Sequence, residues 1–286
     1  MRTETVVPLV NGVEHGGHRQ GRAALRPLTG AEELLLEAGH AALPAHRATA
    51  LLAATISSIG EIDPVSSDTA RSLTVGDRER LLLALHAISF GARVDVVAQC
   101  THAPCGERIE LPLDLMELAA MPAPGPGAAE HELTVAAARG PLHVRFRLPN
   151  GADQEAAARL ASDLGRAADR LLARCILSVT DGQGRAVPPE SVIGDLREPL
   201  ADAFRQLDLA AEMTTTFECP ACGHRTTAGL DAFTLLGAEL ARSGSILVDV
   251  SRLARAYHWN EADILALPVA RRRRYLALLA ESGARA

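Results

Sequence analysis

Cys100-Thr101-His102-Ala103-Pro104-Cys105-Gly106 and Cys219-Pro220-Ala221-Cys222-Gly223 are the two stretches that decide how this chain folds. Each is a cysteine pair closed by a glycine. Each therefore offers two of the four soft ligands that a tetrahedral zinc ion takes at about 2.3 Å from sulfur. A short turn lets one hairpin present both thiols, and the glycine supplies the positive φ with which the chain folds back. Proline inside each turn stiffens it. Four thiolates, Cys100, Cys105, Cys219 and Cys222, leave no coordination position for a reactive water, so the metal is expected to be structural.

The neighbouring residues fit that expectation in different ways. Gly106 and Gly223 let backbone amides approach the sulfurs, and Arg108 and Arg225 each follow the second cysteine by three residues. Their charge would offset the formal charge of about -2 on a four-thiolate zinc centre, the alternative being two exposed strand arginines. His102 and His224 lie close by but are surplus to a filled shell. A redox dithiol at Cys219 and Cys222 would want a helix starting at the thiolate, whereas Gly223-His224-Arg225-Thr226-Thr227 reads as a turn followed by a strand. The fifth cysteine, Cys175, sits on a helical Leu-Leu-Ala-Arg-Cys-Ile stretch and reads as a buried free thiol.

Working outward from the cysteines, the chain matches itself. Leu25-Arg26-Pro27-Leu28-Thr29-Gly30-Ala31-Glu32 aligns with Phe146-Arg147-Leu148-Pro149-Asn150-Gly151-Ala152-Asp153, Leu51-Leu52-Ala53 with Leu171-Leu172-Ala173, and Val75-Gly76-Asp77 with Ile193-Gly194-Asp195. The cysteines and the Cys-Gly-x-Arg pattern follow in the same order, at offsets that stay between 117 and 121 residues. Self-similarity at a fixed period marks a repeated unit. Each unit reads as an extended segment ending at Thr-Gly or Asn-Gly, two helices, a third helix capped by Asp77 or Asp195, and strands entering and leaving the cysteine turn. One ion would then staple the two units across the 113 residues between Cys105 and Cys219. Structural zinc contributes on the order of 10 to 16 kcal/mol in small peptides, against a loop-closure cost that grows only slowly with length.

The fold class expected is α+β: two tandem helix-rich repeats joined by a four-cysteine zinc ribbon, plus a C-terminal helical segment. The boundaries expected are a flexible N-terminus over 1–21, rich in glycine, repeat 1 over 22–115, a linker and strand over 116–142, repeat 2 over 143–232, and a helical tail over 233–286. Within the linker, Met121-Pro122-Ala123-Pro124-Gly125-Pro126-Gly127 reads as flexible. In the tail, Ile246, Leu247, Val250, Leu253, Ala254 and Tyr257 share a helical face, Asn260 caps a short helix, and Pro268 opens a last one through Arg271-Arg272-Arg273-Arg274-Tyr275. Tyr257, Trp259, Tyr275 and the four arginines Arg271, Arg272, Arg273 and Arg274 are the expected partner-binding residues.

Composition narrows the function. The 286 residues carry 29 basic and 35 acidic side chains for a net charge of -6, and every basic residue is arginine. Phosphate-binding loops ending in Gly-Lys, Schiff-base lysines and Ser-x-x-Lys nucleophiles are thereby excluded. Bulk attraction to nucleic acid is absent, and one Trp, two Tyr and five Phe give little to stack on bases. A zinc-ribbon nucleic-acid binder using Arg271 to Arg274 remains the rival reading. No stretch is apolar enough to span a bilayer and no catalytic motif is present, so a cytosolic non-enzyme without a small-molecule substrate is expected.

With these residues in hand, the chain resembles the baseplate hub assembly proteins of T-even-type phages and their relatives encoded with phage tail-like contractile injection systems. The resemblance is carried by Leu25-Arg26-Pro27-Leu28-Thr29-Gly30, by Cys-Gly-x-Arg at Cys105 and Cys222, and by Ala256-Tyr257-His258-Trp259-Asn260-Glu261-Ala262-Asp263-Ile264-Leu265-Ala266-Leu267. It covers most of residues 22–286. It implies a non-enzymatic assembly factor or component of a contractile-tail baseplate, with other tail proteins as partners, made in the cytoplasm and incorporated in or released from the particle. The family's first turn usually has two residues between the cysteines, where Cys100 and Cys105 are separated by four.

Overall fold

The computed structural model describes residues 4–120, 127–137 and 140–283. Three antiparallel strands, β1 (Thr5–His15), β2 (His18–Leu25) and β3 (Ile56–Ile59), form a first sheet in that order. Helices α1 (Gly30–Ala38) and α2 (Pro44–Thr55) lie between β2 and β3 in the chain. Then follow α3 (Ser67–Ser72), α4 (Val75–Phe90), the hairpin β4 (Arg93–Gln99) and β5 (Arg108–Asp114), and α5 (Leu115–Ala119).

The succession then recurs. Strands β6 (His131–Ala137), β7 (Gly140–Phe146) and β8 (Ile176–Asp181) form a second antiparallel sheet, with α6 (Gly151–Ala158) and α7 (Leu164–Cys175) between its second and third strands. A 3-10 turn at Pro189–Ser191, α8 (Ile193–Leu207), the hairpin β9 (Thr214–Glu218) and β10 (Arg225–Gly229), and α9 (Ala232–Ser243) complete it. Both sheets slip register at the matching place, between Ala24 and Leu25 and between Arg145 and Phe146. Helices α10 (Ile246–Tyr257), α11 (Glu261–Leu265) and α12 (Val269–Gly283) end the described chain, which is a mixed α+β protein with small antiparallel sheets.

The matched Arg-x-x-Thr/Asn-Gly segments fold alike because their polar groups solve the same problem. Thr29 and Asn150 each cap the following helix in a reciprocal capping box, with Glu32 and Asp153 returning to the cap backbone. Arg26 grips Glu32 at 3.0 and 2.7 Å and donates to the carbonyls of Pro27 and Ala54. Arg147 grips Asp153 at 2.6 and 3.0 Å and donates to the carbonyls of Leu148 and Arg174. One difference stands out: Asp153 also takes Arg174 at 2.7 Å. Cys175 is buried beside it, and burial raises its thiol to about 12, as expected of an inert core thiol.

Several expectations are corrected. The N-terminal segment over 1–21 is not flexible where it is described: β1 turns Val7 and Leu9 into the core, and Gly16 and Gly17, with φ of 59° and 81°, make the tight turn to β2. Gly12, with φ of 59°, sits in a bulge whose amides are caught by one carboxylate, since Val10, Asn11 and Gly12 donate to Asp77 at 2.7, 3.0 and 2.8 Å. The span read as linker and strand over 116–142 holds β6 and the start of β7, which continues to Phe146 beyond the expected boundary at 143. The proline and glycine run over 121–126 lies outside the described residues. Asp77 does not cap α4, because Thr74 does, and Asp195 does not cap α8, whose first position follows Val192 without a side-chain cap.

The halves meet around α4. Its Leu81, Leu82, Leu83, Ala84 and Leu85 are all buried in a core shared with β1, β2, α2, α5, α9 and α12. The second half keeps a smaller core of its own between β6 to β8 and α7 and α8, built on Val144, Phe146, Leu172, Leu196 and Leu200. Helices α9 to α12 therefore do not hang free as a tail: α9 and α12 lie on α4, and α10 and α11 on α1.

Candidate metal centre

Each cysteine hairpin is closed by its own backbone. The Cys100 amide donates to the Glu107 carbonyl at 2.8 Å, and the Cys219 amide to the His224 carbonyl at 2.9 Å. Gly106 and Gly223 take φ of 59° and 71°, so the chain can double back directly after the second thiol. The amides of Glu107 and His224 then point at the sulfurs of Cys105 and Cys222, and those of Ala221 and Cys222 at Cys219. Amides aimed at sulfur favour the thiolate, the form that binds metal.

The two hairpins come together crosswise. Cys100 Sγ lies 3.7 Å from Cys222 Sγ, and Cys105 Sγ lies 3.7 Å from Cys219 Sγ. All four ligand atoms fall within 4.8 Å of one another, and none is in a disulfide. A tetrahedron with bonds of about 2.3 Å has edges of about 3.8 Å, so the two crosswise pairs already sit at zinc-thiolate spacing. A disulfide would need about 2.05 Å. The four-residue turn at Cys100 brings its thiol to the cluster as readily as the two-residue turn at Cys219. Around the sulfurs the hairpins touch again: the Thr101 amide donates to the Thr226 hydroxyl at 3.4 Å, and the rings of His102 and His224 stack at 5.4 Å.

The thiols differ in acidity. Burial raises the Cys219 thiol, but the Ala221 and Cys222 amides and two neighbouring sulfurs outweigh it and bring it to about 7. The His224 amide favours the Cys222 thiolate, yet burial and three neighbouring sulfurs push that thiol up to about 12. Four sulfurs this close ionise together only around a cation. Arg108 and Arg225 open the outgoing strands β5 and β10, exposed to solvent and paired across the hairpins with Gln99 and Glu218.

In the C-terminal helices the residues named from the sequence part ways. Tyr257, Trp259 and Tyr275 gather into one half-buried aromatic cluster, with ring centroids 4.9 Å apart from Tyr257 to Trp259 and from Trp259 to Tyr275. Arg271 lies over Tyr275, and it and Arg274 are exposed. Arg272 is not a surface residue: it is 0% exposed and donates to Glu33 at 2.7 Å and Asp249 at 3.1 Å. Arg273 is half-buried over Phe90 and bound to Glu239 and Ser243. A run of four arginines on one helix cannot point one way, because successive residues turn by about 100°. Arg78 and Asp208 escaped the sequence reading, and Asp77 was read as a helix cap rather than as the acceptor of the β1 amides, since their partners lie far along the chain.

A family model described as T4 bacteriophage base plate protein matches residues 16–234. The matched stretch contains both cysteine hairpins and ends near the start of α9, so the Ala256 to Leu267 segment that carried the most specific part of the resemblance lies beyond it. No match is found among curated proteins or among solved structures. Among the described residues no helix is long and apolar enough to cross a membrane.

Proposed function

The chain belongs to the T4 bacteriophage base plate protein family, and from that premise we propose that it is a non-enzymatic structural or assembly protein of the baseplate of a contractile phage tail or phage tail-like injection system. The match over residues 16–234 carries this proposal. Other baseplate and tail proteins are its partners, met through Tyr257, Trp259, Tyr275 and the exposed arginines Arg271 and Arg274.

The body that meets them is two copies of one unit, each with a sheet, an arginine clamp and a cysteine hairpin. In support, the element order, the register slips and the Arg26 and Arg147 clamps recur at matching places. A single zinc ion held by Cys100, Cys105, Cys219 and Cys222 joins the hairpins into a zinc ribbon. Gly106 and Gly223 shape the turns, and Arg108 and Arg225 lessen the negative charge. Bound zinc supplies no reaction here, only a rigid joint between units that otherwise touch around α4 and where α2 and α3 meet α6.

Deleting the reading frame from a strain that makes the particle, then imaging the tails, tests the function. Sheaths and tubes without baseplates, restored by the intact gene, are expected. Tails of normal form and infectivity would overturn it.

A further inference from the structure

The two cysteine hairpins are held face to face by more than their sulfurs. Thr226, 1% exposed, accepts the Thr101 amide at 3.4 Å and turns its hydroxyl to Cys100 Sγ at 3.9 Å, and the His102 and His224 rings stack across the gap. The halves also meet away from the cysteines, around α4 and where Thr49 and Arg71 reach Glu155 at 2.7 and 2.9 Å. The fold itself therefore gathers the four thiols, with or without an ion. Exposure divides them unequally. Cys100 and Cys219 are 4% and 2% exposed, Cys105 is half-buried, and Cys222 is open to solvent. Each crosswise contact at 3.7 Å thus sets one buried thiol against a more accessible one from the other half: Cys100 against Cys222, and Cys219 against Cys105.

We propose that the cluster is also a site of oxidation by hydrogen peroxide, in which Cys222 bonds to Cys100 first and Cys105 to Cys219 second, so that sulfur–sulfur bonds replace the metal as the staple between the halves. This rests on the reading of the four cysteines as one metal centre, where all four sulfurs are ionised and exposure decides which is attacked first. The Cys222 thiolate attacks one peroxide oxygen, the O–O bond breaks, and the products are the Cys222 sulfenic acid and hydroxide. The Cys100 thiolate, 3.7 Å away, then attacks the Cys222 sulfur; the S–S bond forms, the S–O bond breaks and a second hydroxide leaves. Two electrons pass from sulfur to oxygen for each bond made. The two thiols that remain, Cys105 and Cys219, are too few for a four-thiolate shell, and a second peroxide joins them in the same way. In each pair the sulfurs need close only from 3.7 Å to about 2.05 Å. Bonds inside each hairpin would leave the halves unlinked. Crosswise bonds link them, so the joint is held by metal in reducing surroundings and by sulfur in oxidising ones.

Peptide mapping of the full chain tests it. The protein is prepared without air, its metal content is read by native mass spectrometry, and it is then given one equivalent of hydrogen peroxide, alkylated, and cut after arginine without reduction. Val94–Arg108 carries Cys100 and Cys105, and Gln206–Arg225 carries Cys219 and Cys222. A crosswise bond therefore joins the two peptides, whereas a bond inside a hairpin leaves each separate and two hydrogens lighter. The expected product is the joined pair with its bond at Cys100 and Cys222, with Cys105 and Cys219 alkylated, and with one zinc lost for each bond formed. Separate lighter peptides, a bond from Cys100 to Cys219, or four thiols still free for alkylation overturn the pairing, while the zinc count taken beforehand leaves the metal reading standing. A first bond at Cys105 and Cys219 overturns the order of attack. Joined peptides from a chain that carried no metal support the pairing and overturn the metal reading instead.

Discussion

Helices α4 and α8 stand at matching places in the two halves, yet α4 is enclosed on nearly every side while α8 buries only Leu196 and Leu200 and shows its other face to water. The polar residues make the difference. On α4, Asp77 takes the β1 amides, Glu79 accepts from the Ala232 amide at 3.0 Å, and Arg80 donates to the Ala119 carbonyl at 2.7 Å. On α8 the residues Asp195, Arg197 and Glu198 are exposed. The same kind of helix start can thus be a hub or a rim, according to whether its charged groups find backbone partners from distant segments.

The largest effect should come from Asp77→Ala. It strips three inward-facing amides of their acceptor and should cost about 3 to 5 kcal/mol in denaturant unfolding. Asp195→Ala, at the matching place on α8, should change stability by less than about 0.5 kcal/mol. Equal losses would erase the contrast between hub and rim.

The arginine clamps give a narrower contrast. Asp153→Ala leaves Arg147 and Arg174 without their carboxylate and should cost about 3 kcal/mol, whereas Glu32→Ala, which frees Arg26 alone, should cost about 2 kcal/mol. Matched unfolding curves of the two variants decide it.

The junction should also respond to pH. Burial raises Asp208, which accepts the Gly76 amide at 2.9 Å, to about 6, and raises Glu79 to about 7. Both are acids whose folded state holds a proton more tightly than the unfolded chain does. Their contribution is therefore fullest below the ordinary carboxylate range and is lost as pH rises through about 6 to 7. Glu32 and Asp153, held low against burial by their arginines and amides, act oppositely and lose their contribution as the solution is acidified below the usual carboxylate range. Stability measured from pH 5 to 8 should fall, and Asp208→Asn with Glu79→Gln should flatten the fall. The smallest effect belongs to the caps, where Thr29→Ala and Asn150→Ala should each cost about 1 kcal/mol and by similar amounts.

What could be read in advance was local chemistry. The Cys-turn-Cys-Gly pairs, the strands around the cysteines and the helices α10 to α12 all follow from residues a few positions apart. The resemblance supplied the family. What escaped depended on distant partners. Glycines at 12, 16 and 17 read as slack because the Asp77 carboxylate that orders the bulge lies 65 residues beyond Gly12. Arg272 was hidden in a run of four arginines because only Glu33, across 239 residues, and Asp249 distinguish it from its neighbours. The internal match likewise placed α4 and α8 alike, since it does not record which charged groups will be buried.

The central claim is that sulfurs from both halves hold one ion. Native mass spectrometry of the chain prepared without air tests it most directly, run beside Cys219→Ser. One zinc per chain in the original, and none in Cys219→Ser, is the predicted result. A chain that carries no metal, or a metal content indifferent to the loss of Cys219, would contradict it.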